Sequence, residues 1–137
     1  MQAIVQQRFG SPADVLAPSE VEPQQPGPDE VLIRVAASSV NAADWFQVTG
    51  RPYVVRPAFG FRRPRARTPG RDVSGVVVAV GRGVTRHQVG DRVFGELSGG
   101  AYAELAVAPE QAVATAPGTA LCLAAAVPLA GVAALQG

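Results

Sequence analysis

Residues 69–83 read Pro-Gly-Arg-Asp-Val-Ser-Gly-Val-Val-Val-Ala-Val-Gly-Arg-Gly, a valine-rich run with glycines on both sides. Valine is branched at Cβ and packs well on a pleated surface, so the run predicts a strand over residues 73–80. Gly81 and Gly83 then turn the chain. Residues 30–36 alternate between apolar and charged side chains, which is the period of a second, half-buried strand.

Other apolar runs bounded by turn residues predict further short strands, at residues 3–7, 92–95 and 101–107. Several short strands separated by turns are typical of a small β-barrel-like body. The pattern therefore predicts a mainly β fold with short helices.

Three segments depart from the strand pattern. Asn41 is a good N-cap and precedes a predicted short helix over residues 42–48. Residues 120–136 are rich in Ala and Leu and predict a helix, in which Pro128 starts a second segment or kinks the first. Residues 51–71 carry four prolines, so we expect no regular element there.

The composition describes a turn-rich globular chain. Of 137 residues, 47% are hydrophobic and 17% charged, with 15 Gly and 12 Pro, which fits one soluble domain rather than a disordered chain. The net charge of +1 creates no field that would attract nucleic acid or a membrane. No segment has the pattern of a signal peptide or is apolar over enough residues to span a bilayer, so a cytoplasmic location is predicted.

The chain has one cysteine, Cys122, and one histidine, His87. These exclude an intrachain disulfide and a Cys/His metal cluster. We expect Cys122 to be a buried small hydrophobe in the terminal helix.

All 12 basic residues are arginines, and seven of them fall between residues 51 and 71: Arg51, Arg56, Arg62, Arg63, Arg65, Arg67 and Arg71. Guanidinium groups can fork onto phosphate oxygens, which is one interpretation of the cluster. No aromatic-interleaved platform accompanies it, so a solvated loop bordering a cleft is favoured.

Gly81-Arg82-Gly83 resembles the start of a dinucleotide-binding fingerprint. Position 86 is Arg where the third glycine belongs, and the next predicted element is a strand rather than a helix. The motif therefore predicts no phosphate site.

Four segments in order, residues 39–44, 69–75, 90–95 and 124–129, resemble the N-terminal domain of medium-chain dehydrogenases and reductases. Together with Gly50-Arg51-Pro52-Tyr53 and Phe59-Gly-Phe-Arg-Arg-Pro64, they are most similar to the zinc-free, quinone-oxidoreductase-like branch. The resemblance implies a GroES-like, partly open β-barrel over residues 1–119. It also implies a connecting helix over residues 120–137 that would lead to a Rossmann domain absent from this sequence.

Zinc-dependent relatives carry Cys-His where this chain has Asn41-Ala42, and Gly-His-Glu where it has Gly70-Arg71-Asp72. Catalytic Zn²⁺ requires thiolate, imidazole or carboxylate ligands, which Asn and Arg cannot supply as a set. The resemblance therefore implies that no catalytic metal is bound.

The resemblance also implies site residues. Asn41 would line the cleft beside the nicotinamide ribose and the substrate carbonyl, unless it is a plain helix N-cap. The position of Asp44 favours a first-turn acid that stabilises the helix over a direct role in the site. Tyr53 would donate a proton or a hydrogen bond to a developing enolate, or else pack under the proline-rich loop. The nicotinamide would lie along Leu129, Ala130 and Gly131.

These features imply the substrate-side domain of an NAD(P)H-dependent, zinc-independent oxidoreductase that reduces quinones, enones or related carbonyl compounds, inactive as the isolated chain. The implied cofactor is NADPH, bound by the intact two-domain enzyme and not tightly by this chain. The expected partners are that small-molecule substrate and the Rossmann domain, with self-association possible through Leu129, Val132 and Leu135. The alternative is a non-enzymatic, free-standing GroES-like module that acts by protein association.

Overall fold

The computed structural model describes residues 1–60, 63–64 and 67–136. Its strands are β1 (Gln2–Val5), β2 (Ala17–Glu20), β3 (Glu30–Ala37), β4 (Asp72–Val80), β5 (Arg92–Glu96), β6 (Leu105–Pro109) and β7 (Val113–Thr115). Its α-helices are α1 (Pro12–Val15), α2 (Ala42–Thr49), α3 (Arg56–Phe59), α4 (Leu121–Ala124) and α5 (Pro128–Gln136), and 3₁₀ turns cover Tyr53–Val55 and Glu110–Ala112.

Five strands form an antiparallel sheet in the order β6-β3-β4-β5-β7, and β1 and β2 form a separate antiparallel ribbon. A bridge between Ala3 and Ala103 attaches the ribbon to the chain before β6. The two outer strands of the larger sheet, β6 and β7, are not paired with each other. The predicted fold, mainly β with short helices and a partly open barrel, is confirmed.

The core lies on one face of the central strands. Val31 and Ile33 of β3, Val73 and Val77 of β4 and Val93 of β5 are fully buried. Burying such a side chain stabilises the fold by about 2 kcal/mol. The alternation of apolar and polar residues that predicts β3 thus marks the side of the sheet that excludes water.

The predicted helix after Asn41 is confirmed as α2. It ends at Gly50, whose φ of 62° is left-handed and whose N–H donates to the Phe46 carbonyl, as glycine at a helix end commonly does. The break in the terminal helix is also confirmed, because α4 ends before Pro128 and α5 begins with it.

Two of the secondary-structure predictions made from the sequence are wrong in part. The strand predicted over residues 101–107 begins only at Leu105, since the positive φ values of Gly99 and Gly100 turn the chain just before it. The segment predicted to be irregular contains two short helical turns, Tyr53–Val55 and Arg56–Phe59. Pro57 lies in the first turn of α3, where the missing N–H has no intrahelical partner to lose.

Gly81 and Gly83 are required by packing. A Cβ on Gly81 would lie 2.0 Å from the Gly27 carbonyl oxygen, and the Gly83 N–H donates to the Pro28 carbonyl oxygen at 2.8 Å. This pair of glycines lets the turn after β4 lie against residues 27–28. That the turn holds no phosphate stays a prediction.

Cys122 is exposed, so the prediction of a buried thiol is wrong. It lies in the first turn of α4, and the buried residue of that short helix is Ala124. None of the helices within the described ranges combines the length and apolar character needed to cross a bilayer.

Candidate functional site

Asp72, the first residue of β4, is the centre of a buried polar network. Its side chain is fully buried, and both carboxylate oxygens accept hydrogen bonds. Oδ2 accepts from Asn41 Nδ2 at 2.9 Å and from Ser39 Oγ at 2.7 Å, and Oδ1 accepts from the Leu129 N–H at 3.1 Å. One carboxylate therefore joins the loop after β3, the start of α2 and the start of α5.

The sheet register explains this arrangement. Ala37 at the end of β3 pairs with Ser74 of β4, so the loop that follows β3 passes over the start of β4. Ser38 Oγ donates to the backbone carbonyl of Asp72 at 2.5 Å and fixes the loop there. The polar residues of this loop then lie within reach of the buried carboxylate.

Asn41 is half-buried and begins α2. The Asp44 carboxylate accepts the Asn41 backbone N–H at 2.8 Å, and the Asp44 N–H donates to the Asn41 backbone carbonyl at 3.0 Å. The Asn41 side chain lies near that N–H without making a capping hydrogen bond to it. Its amide nitrogen donates to Asp72 and to Ser39 Oγ, the latter at 3.2 Å. Asn41 is thus the N-cap residue, as the plain interpretation has it, while its side chain is directed toward Asp72.

Asp44 and Tyr102 lie beside this network. Burial raises the pKa of Asp44 more than the hydrogen bond from Asn41 and the nearby Tyr102 hydroxyl lower it. Burial and the Asp44 charge likewise raise the pKa of Tyr102, whose hydroxyl donates to the Ser39 carbonyl at 3.2 Å. The Tyr102 ring packs on Gly70, where a Cβ would lie 2.5 Å from the ring. Tyr102 is therefore a neutral phenol that supports the loop carrying Ser39.

Two arginines of the predicted solvated loop have partners. Arg71 forms an ion pair with Glu96 on β5, with Nε 3.1 Å from Oε1. The Arg56 guanidinium lies 4.9 Å from the centre of the Phe9 ring and 4.5 Å from that of Tyr53, and its Nε donates to the Gly50 carbonyl. For these two residues the solvated-loop prediction is wrong. Arg62 and Arg65 lie outside the described residues, and Arg63 and Arg67 are exposed.

Tyr53 is 64% exposed in the 3₁₀ turn after α2. Its described contacts are the guanidinium groups of Arg56 and, at 5.9 Å, Arg51. Among the residues described for the proline-rich loop, none covers Tyr53, whose ring is largely exposed. Its role toward a substrate stays a prediction.

The predicted cofactor-side residues lie in the first turn of α5. Leu129 and Gly131 are half-buried, Ala130 is exposed, and the Gly131 N–H donates to the Val127 carbonyl. The hydrogen bond from the Leu129 N–H to Asp72 links this turn to the residue that also holds Asn41. The structure thus joins two of the predicted site segments through a residue that the sequence interpretation did not assign.

Within the described ranges, no three His, Cys, Asp or Glu side chains are grouped so that they could hold a metal ion. At the position of the lost His ligand, Arg71 is committed to Glu96. The absence of bound zinc stays a prediction, which elemental analysis of the purified protein would test.

A cavity of about 440 Å³ lies elsewhere, between the β1–β2 ribbon, β6 and the loop at Gly99–Gly100. Its lining includes Val5, Gln6 and Leu105 but none of the predicted site residues. The position of this cavity reflects the gap between two sheets, so we assign the candidate site to the Asp72 network, where the polar groups converge.

Residues 27–118 match the alcohol dehydrogenase GroES-like domain family. This match covers more than half of the chain, and the chain belongs to that family. Its relatives include quinone oxidoreductases of the medium-chain dehydrogenase and reductase superfamily.

A chloroplastic quinone-oxidoreductase homolog of Spinacia oleracea is 39% identical over 140 residues, which span 99% of this chain and 41% of the relative. The quinone oxidoreductase of Coxiella burnetii superposes on this chain with a TM-score of 0.88 at 29% identity. The match covers 99% of this chain and 43% of the Coxiella chain. The Escherichia coli quinone oxidoreductase complexed with NADPH gives a TM-score of 0.82 at 26% identity, over 97% of this chain and 39% of its own.

The chain thus spans about two-fifths of the length of these relatives, and the match corresponds to their N-terminal portion. The division of the chain into a domain over residues 1–119 and a connecting helix over residues 120–137 stays a prediction. The cytoplasmic location also stays a prediction. The spinach relative is described as chloroplastic.

The sequence interpretation missed Asp72, Ser39 and Tyr102 as parts of the site. A signal for Asp72 was present, because a charged residue begins the most apolar strand of the chain. A buried carboxylate needs hydrogen-bond donors, which predicts polar neighbours around the start of β4. Nothing in the sequence indicated that Leu129 would provide one of them from 57 residues away.

Proposed function

We propose that this chain is the substrate-side domain of an NADPH-dependent oxidoreductase that reduces quinones, enones or related carbonyl compounds without a metal ion. The observation that carries the proposal is the link through Asp72 between Asn41 and the first turn of α5, in a domain whose relatives are quinone oxidoreductases. The NADPH named for the Escherichia coli structure supports the choice of cofactor.

The residues present fit the nicotinamide end of such a cofactor. The Asn41 amide nitrogen donates to Asp72 and Ser39, and its carbonyl oxygen is the part of the amide that can accept a ribose hydroxyl. Leu129, Ala130 and Gly131 are uncharged and offer a surface on which a nicotinamide ring can lie. When bound, NADPH supplies a hydride to the substrate.

The remaining chemistry is to hold the substrate and to stabilise negative charge on its oxygen. Asp72 Oδ2 and Ser39 Oγ lie 2.7 Å from each other and so on the same side of Asn41 Nδ2, which leaves the second amide hydrogen as a donor to the substrate carbonyl. Tyr53 is an exposed residue whose ring centre lies 5.9 Å from the Arg51 guanidinium and 4.5 Å from that of Arg56. We assign to its hydroxyl the hydrogen bond to the developing enolate.

The chain contributes little to the binding of the phosphates. The tight glycine turn at 81–83 packs against residues 27–28, and a pyrophosphate in such enzymes is held at the helix N-terminus of a Rossmann domain. We therefore expect this chain alone to bind NADPH no more tightly than about 1 mM, or about 4 kcal/mol, and to show no turnover.

The test is an NMR titration of the ¹⁵N-labelled chain with reduced nicotinamide mononucleotide, with ADP as the matched control ligand. We expect shifts at the Asn41 side-chain amide and at the amides of 129–131 with the nicotinamide ligand, and none with ADP. Shifts confined to other residues, or micromolar binding of either ligand, would contradict the proposal.

A second candidate function is association with another protein. It is favoured by the apolar surface of α5, where Leu135 is 90% and Val132 44% exposed. Exposed apolar surface of this kind commonly marks an interface. In this alternative the chain is a free-standing module whose activity is binding, and the NMR titration would show no shifts at Asn41.

A further inference from the structure

We infer that Asp72 is a positioning residue: its carboxylate sets the orientation of the Asn41 side-chain amide and ties it to the first turn of α5. The consequence for cofactor binding rests on the proposed function, but the geometry does not. Three donors converge on this buried carboxylate, namely Ser39 Oγ, Asn41 Nδ2 and the Leu129 N–H.

The orientation of the Asn41 amide follows from the chemistry of its partner. An ionised carboxylate can only accept hydrogen bonds, whereas an amide has a donor end and an acceptor end. Asp72 Oδ2 lies 2.9 Å from the Asn41 amide group, so the nitrogen must face Asp72 and the oxygen must face away. Ser39 Oγ donates to the same Oδ2, and its remaining lone pairs accept from Asn41 Nδ2, which supports the same orientation.

The second oxygen extends this control to α5. The first N–H groups of a helix have no intrahelical acceptor, and Oδ1 accepts the one at Leu129. Since the two oxygens belong to one rigid carboxylate, a displacement of the first turn of α5 is transmitted to Asn41. Asp72 thus holds the Asn41 side chain and the first turn of α5, which line the proposed nicotinamide site, in fixed positions relative to each other.

A purely structural role for Asp72 would predict only a loss of stability on substitution. A positioning role also predicts a change at the Asn41 side chain. In Asp72→Asn, one of the two oxygens becomes an NH₂ group, which would face either the Asn41 NH₂ or the Leu129 N–H, donor against donor. One of these two hydrogen bonds must therefore be lost.

The experiment is hydrogen exchange by NMR on the ¹⁵N-labelled chain. In the wild type we expect the Asn41 Nδ2 hydrogens to exchange at least about tenfold more slowly than those of the exposed side chain of Gln25, as a net hydrogen-bond energy of about 1.4 kcal/mol would give. In Asp72→Asn we expect this protection to fall about tenfold at Asn41 or at the Leu129 N–H, with a shift of the Asn41 side-chain resonances.

Glu96→Gln is the matched control. Glu96 is directly opposite Asp72 in the sheet register and undergoes the same change from carboxylate to amide, but it pairs with Arg71 instead of Asn41. Its substitution should leave the exchange of the Asn41 side chain and of Leu129 within about threefold of the wild type.

Wild-type exchange at Asn41 as fast as at Gln25 would overturn the inference, and this measurement is valid even if Asp72→Asn does not fold. Unchanged Asn41 and Leu129 signals in a folded Asp72→Asn would also overturn it. If the Asn41 signals change as expected but reduced nicotinamide mononucleotide causes no shifts, the positioning role stands and the proposed function fails. If reduced nicotinamide mononucleotide causes the expected shifts but the Asn41 and Leu129 signals do not change in Asp72→Asn, the proposed function stands and the positioning role is rejected.

Discussion

Asp44 shows at the residue scale how burial acts on a helix-start acid. A carboxylate in the first turn normally stabilises a helix through the dipole. Here the side chain is almost fully buried, its Oδ1 meets no hydrogen-bond donor among the described residues, and its pKa is raised. The free-energy cost of removing the Asp44 charge from water therefore exceeds the stabilisation of that charge by neighbouring hydrogen-bond donors.

The pH dependence of stability follows from this raised pKa. A folded-state pKa above the unfolded value of 3.8 means that the folded state binds the proton more tightly. The contribution of Asp44 is thus fully present below about pH 3.8 and is lost as the pH rises through the folded pKa.

We expect the difference in unfolding free energy between the wild type and Asp44→Asn to shift in favour of the variant as the pH rises from 3.5 to 8. The isosteric amide keeps an oxygen for the Asn41 N–H and does not ionise. Urea denaturation of both proteins across this range measures the difference. A difference that shifts toward the wild type with rising pH would contradict the raised pKa.

At the scale of elements, the short turns after α2 depend on one side chain. Arg56 lies between the rings of Phe9 and Tyr53 and donates to the carbonyl of Gly50, the glycine that ends α2. A guanidinium over two aromatic faces, with its Nε also engaged, can connect the end of α2, the 3₁₀ turn and the segment after β1.

Replacing Arg56 by Gln should destabilise the protein by about 1–2 kcal/mol, because the cation–π contacts and a hydrogen bond are lost together. Arg63→Gln, in the same arginine-rich segment but exposed, should change the stability by less than about 0.5 kcal/mol. Equal effects in chemical denaturation would show that Arg56 is no more engaged than Arg63.

The elements differ in how well the sequence predicts them. The strands β3 and β4 are eight and nine residues long and rich in branched apolar residues, so their positions could be predicted. The five-residue β5 could be predicted because Gly90 and Asp91 mark its start. The short elements α1, β2 and β7 could not, because three or four residues carry too little periodicity and their pairing partners are distant in sequence. Pro12 and Pro18 indicate turns by local preference, yet Pro12 begins a helix and Pro18 lies in a ribbon strand.

The residues of the candidate site also differ in how well the sequence predicts them. Asn41 could be located because an N-cap has a local signature, whereas its partner Asp72 lies 31 residues away and is brought to it by strand pairing. The exposure of Cys122 depends on which side of α4 faces the sheet, and a four-residue helix has no pattern from which this could be derived.

At the scale of the whole molecule, α5 leaves an apolar surface uncovered. It packs against β4 and β5 through its first residues, of which Pro128 is buried, while Val132 and Leu135 are exposed. Leu123 and Val127 add to the exposed apolar area nearby in the chain. Such a surface favours contact with another apolar surface over contact with water.

We expect this chain to self-associate as its concentration rises, and sedimentation velocity measures this directly. Leu135→Ser should weaken the association by roughly fivefold to thirtyfold, as burial of one leucine contributes roughly 1–2 kcal/mol. Val89→Ser, which changes an exposed valine in the loop before β5, should have no effect. A monomer at all concentrations, or equal effects of both changes, would contradict this role of α5.

The attachment of Leu129 to the buried carboxylate also has a mechanical meaning. It makes the start of α5 a fulcrum and the remaining helix a lever, which at 1.5 Å per residue is about 10 Å long from Leu129 to Gln136. A tilt of about 10° would move Gln136 by roughly 2 Å while Leu129 stays in place. A load applied to the far end of α5 would thus move Gln136 much farther than Leu129, and only the motion that reaches Leu129 would be passed on to Asn41.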